Sequence, residues 1–383
     1  MHILPRKNEV REVHVEATSR CNLTCPQCAR SPSGVLNPKL PMSELSIEDI
    51  QRIFDPDFCK QLEQVYFNGN FGDPAASSCL PEALLWLKTH GVRKINFFTN
   101  GSLRNPEWWQ RIAMILRPTD YVVFSIDGLE DTNHIYRRGA NFSKIMENAE
   151  TFIKHGGNAR WDFLKFEHNI HQVDEARALA KSMGFKNFVA KDTVRFIDEK
   201  QSDMRKEQVI HLTKRRSNGN VIAMVDMDKI SPTSDNKTMT RMEFINQKYG
   251  SFENYMNNNT IACKSTAPAA FNKRPNIFID FTAKIWPCCW LGCVPHWEDD
   301  NYLPKHQYKQ MIEKYGIEFN DTRVHSLEKI LEHQWYTTDL PASWNNKIED
   351  EVNPRLQVCG KTCGTDFEWS SGAGSKNATV YKL

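Results

Sequence analysis

Three cysteines stand close together near the start of the chain. Cys21, Cys25 and Cys28 lie in the stretch Thr-Ser-Arg-Cys-Asn-Leu-Thr-Cys-Pro-Gln-Cys-Ala-Arg, residues 18–30. The C-x3-C-x2-C spacing lets one short loop wrap three thiolates around a corner of a metal cluster, and soft thiolates suit iron–sulfur centres or zinc. A structural zinc site closes with four protein ligands, whereas a three-ligand site keeps one metal position open for chemistry. The plainer reading is a zinc knuckle whose fourth ligand lies elsewhere. Six of the eleven cysteines fall between Cys263 and Cys363, and only Cys59 and Cys79 lie in between. In a reducing compartment such cysteines are metal ligands or buried thiols more often than disulfides.

The elements that must position the first three cysteines form a repeating pattern. Apolar, β-branched or aromatic runs occur at 12–17, 64–67, 94–98, 121–126, 160–166 and 187–190, and helical patterns at 46–54, 81–90, 106–116, 142–155 and 173–183. Ser46 precedes an acidic first turn with Glu48 and Asp49, and Gly91 and Gly184 stand just past helix ends, as start and stop signals require. Six strands alternating with helices predict parallel βαβ units, two short of an eight-stranded barrel. In barrels of this kind the chemistry sits at the carboxyl ends of the strands, and the cysteine loop directly follows the first strand. Later strand ends carry small polar groups: Asn68-Gly69-Asn70-Phe71-Gly72-Asp73-Pro74, Thr99-Asn100-Gly101, and Ser125-Ile126-Asp127-Gly128 followed by Arg137-Arg138-Gly139.

Composition narrows the class of protein. With 383 residues, 40% hydrophobic and 25% charged, the chain can hold one large domain or one with a smaller partner. The net charge of +2 makes no case for nucleic acid. No secretory signal or membrane-length apolar run is present, so a cytoplasmic location is expected. Residues 194–262 read as a polar connector, with a basic cluster of Arg205, Lys206, Lys214, Arg215 and Arg216 interleaved with acidic residues and a short strand at 221–225.

The cysteine array, the six βα repeats and the ordered strand-end segments together resemble the radical S-adenosylmethionine (SAM) superfamily, with Gln27 where the family usually has an aromatic residue. The resemblance implies a partial (β/α)6 barrel over 11–193. It implies a [4Fe–4S] cluster held by Cys21, Cys25 and Cys28, with one iron free to bind the amino and carboxylate groups of SAM. Electron transfer then breaks a carbon–sulfur bond and gives a 5′-deoxyadenosyl radical that abstracts a substrate hydrogen. Gly69, Gly72 and Asp73 match the family's Gly-Gly-Glu-Pro segment, which receives the SAM amino group. Asn100 ends the third strand, and Ser125 and Arg137 match the residues that hold the SAM carboxylate, with Arg138 as the near alternative.

The region 263–383 resembles the cysteine-rich auxiliary-cluster domains of the family, twitch or SPASM. A hairpin over 276–286 turns at Thr282-Ala283, where the family places a glycine, and Pro287-Cys288-Cys289, a helical stretch at 326–333 and Cys359-Gly360-Lys361-Thr362-Cys363 follow. The resemblance implies one auxiliary [4Fe–4S] cluster on Cys263, Cys288, Cys359 and Cys363. Cys288 and Cys289 cannot easily serve one cluster from an extended strand, because adjacent side chains point to opposite faces. That leaves Cys289 and Cys293 as packed residues or alternates.

A peptide or protein side chain is the expected substrate, with a small polyol or sugar as the alternative and an electron donor such as a flavodoxin or ferredoxin as partner. With the first strand near residue 11, no peptide-recognition domain is expected ahead of the barrel. The reading from a different class is a non-catalytic, zinc-stabilised binding protein.

Overall fold

The computed structural model describes residues 4–192, 245–266, 274–297, 303–365 and 378–383. The basic cluster at 205–216, the short strand at 221–225 and most of the polar connector lie outside them.

Each of the six sequence-predicted strands is present: β1 Glu12–Val15, β2 Gln64–Phe67, β3 Lys94–Thr99, β4 Tyr121–Ser125, β5 Ala159–Lys165 and β6 Asn187–Asp192. Each pairs with the next in parallel. The helices between them are α1 Ile47–Ile53, α2 Pro56–Gln61, α3 Leu80–Thr89, α4 Pro106–Ile115, α5 Asn133–Tyr136, α6 Phe142–Lys154 and α7 Val173–Met183. Local chemistry sets their ends. Ser46 accepts the Asp49 N–H while the Asp49 carboxylate accepts the Ser46 N–H, a reciprocal cap on α1. Gly184 closes α7 at φ 87°, in the left-handed region that favours glycine.

Two-residue periodicity splits the sheet into two faces. Val13, Val15, Val65, Phe67, Ile95, Phe97, Val122, Phe124, Trp161, Phe163, Phe188 and Ala190 all point into the main hydrophobic core. Trp109 of α4 and Phe152 of α6 meet them there. The residues that alternate with these are mostly polar or charged, among them Glu12, His14, Gln64, Tyr66, Lys94, Asn96, Tyr121, Arg160, Asp162 and Lys191, with Phe98, Val123, Leu164 and Val189 as the apolar members. Such a face suits a ligand or water rather than a helix.

The carboxyl-terminal cysteine region adds strands to this same sheet. Strand β7 Asn276–Ile279 pairs in parallel with β1, β8 Ile285–Trp286 closes the hairpin with β7, and β9 Ala378–Lys382 pairs antiparallel with β6. The order is β8-β7-β1-β2-β3-β4-β5-β6-β9. Ala283, in the hairpin turn, is buried at φ 66°. It takes the conformation a glycine adopts without cost, and the Asp280 carboxylate stabilises the turn by accepting from Thr282 and Lys284 N–H groups. Helix Leu303–Tyr315 and strand β9 lack strong sequence signals. The helix buries Pro304, Lys305 and Gln307 beside Met311, so it shows little apolar period.

Candidate functional site

The cysteine loop leaves β1 at the carboxyl-terminal rim of the parallel strands. There the thiols of Cys21, Cys25 and Cys28 lie close enough to act on one another electrostatically. Cys25 is buried and the other two are half-buried. Burial pushes the Cys21 thiol up to about 12 and Cys25 up to about 11, so both carry protons at neutral pH until a metal displaces them. The Leu23 N–H donates to the Cys21 sulfur at 3.4 Å, and the Asn100 amide does so at 3.6 Å. The Cys28 thiol faces the Asn70 carbonyl at 3.8 Å. Three soft donors on one loop, with polar groups aimed at their sulfurs, fit a three-thiolate cluster.

The loop after β2 is clamped against this one. A Cβ at Gly72 would lie 1.8 Å from the Thr18 carbonyl oxygen, and one at Gly69 2.0 Å from the Gly72 carbonyl oxygen, so neither position admits a side chain. Asp73 is buried, and both its oxygens are taken. It accepts from the Ala75 N–H at 2.9 Å, from the Asn100 N–H at 2.7 Å and from the Thr99 hydroxyl. Its own N–H donates to the Arg20 carbonyl at 2.9 Å. Asp73 therefore ties the β2 loop to the cysteine loop and to the end of β3. Asn100 is placed by that tie and by hydrogen bonds with Asn22 and Ser102.

On the other side of the rim, Arg137 donates through Nε to Asp127 at 2.6 Å and lies beside Cys25. Burial opposes its charge, but Asp127 and the Cys25 sulfur more than offset this, so its pKa lies above the ordinary value. Asp127 is fully buried and also accepts the Leu164 N–H at 2.7 Å. Ser125 ends β4, in register with Asp162, two residues before Asp127. Arg138 is turned toward Gly34, where its Nη1 fills the space a Cβ would need.

Two residues that hold this rim together carry no sequence motif. Asp127 sits in an ordinary Asp-Gly turn pattern. Glu16 is the other, at 0% exposure. Its Oε1 accepts from the Phe71 N–H at 2.6 Å and the Gly72 N–H at 3.2 Å, while its buried Oε2 has no partner. Burial raises its pKa from 4.5 to about 8, against the pull of those backbone hydrogen bonds. The native state thus keeps a proton that the unfolded chain releases, and this group costs stability as pH rises from about 4.5 through about 8. Glu16→Gln keeps the acceptor and puts an amide where the charge would form. Its gain in stability over wild type, measured by urea unfolding, should be small near pH 4.5 and greatest above pH 8. An equal gain at both pH values would contradict this account of Glu16.

A second thiol group forms in the carboxyl-terminal region. Cys263, Cys359 and Cys363 are buried and Cys288 is half-buried. The Cys263 and Cys363 thiols are hydrogen-bonded to each other, and Cys288 and Cys359 both act on Cys263 electrostatically. Cys359 and Cys363 stand one turn apart at helix Gln357–Thr362. An antiparallel bridge between Ile261 and Gly364 brings the Cys263 segment against them. Cys288 has an extended backbone and precedes the short helix Cys289–Cys293, which turns Cys293 into an apolar cluster with Leu40, Phe71 and Phe281. Cys289 lies beside Tyr66, and its carbonyl accepts from Asn70 at 3.2 Å. The structure thus brings together the four cysteines named from the sequence and packs Cys293 elsewhere. No three His, Cys, Asp or Glu side chains among the described residues close around a single metal ion. If these four thiols hold a cluster, Cys288→Ala is expected to lose or destabilise it, read as iron and visible absorbance after reconstitution. Cys289→Ala and Cys293→Ala should leave it largely intact. Loss of the same iron in Cys289→Ala would transfer the ligand role.

Six parallel strands thus carry a three-cysteine loop and a buried arginine–aspartate pair at their carboxyl rim. Residues 15–165 match the family described as the Radical SAM superfamily. A 7,8-dihydro-6-hydroxymethylpterin dimethyltransferase of Methanocaldococcus jannaschii is 28% identical over 145 residues, 36% of this chain and 27% of that protein. A probable GTP 3′,8-cyclase of Methanococcus maripaludis is 22% identical over 182 residues, 46% of this chain and 57% of that protein. The matched segment thus spans about a quarter of one curated relative and little more than half of the other. Among solved structures, Streptococcus suis SuiB bound to S-adenosylmethionine superposes with a TM-score of 0.53 at 13% identity, over 93% of this chain and 73% of that one. SuiB bound to its precursor peptide SuiA gives 0.51 at 15% identity, over 92% and 72%. These two likenesses show the shared fold. No helix among the described residues is long and apolar enough to cross a membrane.

Proposed function

We propose that this chain reductively cleaves S-adenosylmethionine and uses the radical so formed to abstract a hydrogen from a peptide or protein side chain. The observation that carries the reading is the convergence of Cys21, Cys25 and Cys28 at the carboxyl rim, beside the buried Arg137–Asp127 pair. When bound, a [4Fe–4S] cluster and SAM together supply the electron-driven carbon–sulfur cleavage; the protein supplies binding, orientation and exclusion of water. Cys21, Cys25 and Cys28 hold the cluster. Arg137, locked by Asp127, offers its remaining guanidinium N–H groups to the SAM carboxylate, a charge-assisted contact of fixed geometry, with Ser125 at the end of β4 as the second carboxylate partner. Gly69 and Gly72 let the β2 loop approach the ligand through its backbone. Asp73, with both oxygens engaged, acts by placing that loop and Asn100 rather than by direct contact.

The four carboxyl-terminal cysteines are proposed to hold an auxiliary [4Fe–4S] cluster, which would bring bound iron to about eight per chain. A peptide substrate is supported by the fold shared with a protein solved with its precursor peptide. Incubation with candidate peptides, SAM and dithionite, or a flavodoxin or ferredoxin as donor, followed by mass spectrometry, tests it. A peptide mass change that depends on SAM is the expected result. Conversion of a polyol or sugar with no change in any peptide would favour the small-molecule reading.

A further inference from the structure

The face of the sheet opposite the main core holds a cavity of about 290 Å³. It is lined by Tyr121, Asn158, Arg160, Asn187, Val189, Lys191, Ala378 and Val380, and Tyr121, Arg160 and Asn187 stand at or next to the amino-terminal starts of β4, β5 and β6. Four residues of extended chain separate Tyr121 from Ser125, or ~13 Å at the usual rise per residue. The floor of the cavity at Tyr121, Arg160 and Asn187 therefore lies away from the rim, and Lys191, four residues past Asn187, forms its wall toward the rim.

Its polar groups are donors in excess of what the protein uses. Arg160 spends Nε and one terminal nitrogen on Asp162, at 2.6 and 2.9 Å, and Lys191 also pairs with Asp162. The second terminal nitrogen of Arg160, the Asn187 amide and the Tyr121 hydroxyl have no hydrogen-bond partner among the described residues. Lys94 lies over the Tyr121 ring at 4.9 Å and Arg160 at 5.5 Å. Three cations thus face Asp162 and the more distant Glu12, which itself has Arg274 at 3.9 Å. Positive charge remains in excess. On the same face, in register with Tyr121, Asn96 is 1% exposed and neither of its amide atoms has a partner. Buried amides are normally satisfied, so this face is furnished for a bound polar molecule.

We propose that the cavity is a carboxylate-binding site, in which Arg160, Lys191, Asn187 and Tyr121 hold an anionic group of the substrate while its reacting carbon lies at the cysteine rim. The placement of the reacting carbon rests on the radical SAM reading given above; the carboxylate site does not. The span from Tyr121 at the floor of the cavity to the rim suits an extended peptide of about four residues, at ~3.3 Å each. A fork of guanidinium and amide donors selects a planar carboxylate over a neutral amide.

The test uses the full chain, reconstituted anaerobically, and titration calorimetry with three probes: an acetylated tetrapeptide with a free carboxyl terminus, its amidated form, and succinate alone. The free acid is expected to bind at least roughly tenfold more tightly than the amide. Tyr121→Phe and Asn187→Ala should each erode that preference by several-fold while iron content and thermal midpoint stay at wild-type values, and Arg160→Lys should erode it with a lowered midpoint, since a lysine cannot keep both bonds to Asp162. Succinate binding as tightly as the peptide supports the site and points to a free carboxylate metabolite; a response to the peptide alone supports it and points to a chain terminus. Equal binding of acid and amide by wild type, or an undiminished preference in all three variants, overturns the proposal. Wild-type protein that forms no 5′-deoxyadenosine from SAM would sink the radical reading instead and leave this titration unaffected.

Discussion

Replacing Cys21, Cys25 and Cys28 together by alanine is expected to abolish 5′-deoxyadenosine formation from SAM under dithionite. The variant should still retain about half of the roughly eight irons of the wild type. The three thiols share one loop at the rim, whereas Cys263, Cys288, Cys359 and Cys363 are held by the hairpin, the bridge at Ile261 and helix Gln357–Thr362. Loss of the first set leaves the second in place. The residual iron, its visible spectrum and the amount of 5′-deoxyadenosine decide the matter together. Product at the wild-type rate would show that these cysteines do not hold the reducing cluster. A triple variant with one zinc and no iron would make the carboxyl-terminal thiols a structural site.

The second large effect is expected at Arg137. Arg137→Ala removes charge-assisted hydrogen bonds worth about 1.5–3 kcal/mol each, so SAM affinity should fall by roughly tenfold or more. The same change strips the buried Asp127 of its counter-charge, and breaking a buried pair from one side costs about 3–5 kcal/mol. Lower thermal stability is therefore expected together with weaker binding. Arg137→Lys separates the two roles. It keeps a positive charge near Asp127 and restores part of the stability, but a point charge cannot reproduce the planar fork, so SAM affinity stays low. Equilibrium binding of SAM to the reconstituted variants measures this. Unaltered affinity in Arg137→Ala with loss in Arg138→Ala would move the role to the neighbour, although Arg138 is turned toward Gly34 in the structure.

The barrel was legible because its strands carry their instruction locally. Alternating runs such as Val13-His14-Val15 and Gln64-Val65-Tyr66-Phe67 fix both the strand and its buried face, and the intervening helices have caps at Ser46 and Gly184. The cysteine spacing was equally local. What sequence could not show are the contacts made across long separations. Glu16 reads as one more polar residue in an alternating strand, yet it is buried because the loop 55 residues later folds its backbone N–H groups onto it. Asp73 occupies the place of a ligand-binding carboxylate in the family pattern, but its oxygens are claimed by Thr99 and Asn100. Strand β9 carries few apolar residues, with Val380 exposed, and it exists because β6 offers a free edge. The cavity beside it depends on that pairing, so Arg160 and Lys191 offered no signal as a site.

The most direct test of the central claim is the formation of 5′-deoxyadenosine by the anaerobically reconstituted wild-type chain, with SAM and dithionite and no added substrate. The account predicts product that requires protein, SAM and reductant together, from a brown protein holding about eight irons. A protein that holds its full complement of iron yet leaves SAM intact, or a colourless one that holds only zinc, would contradict it.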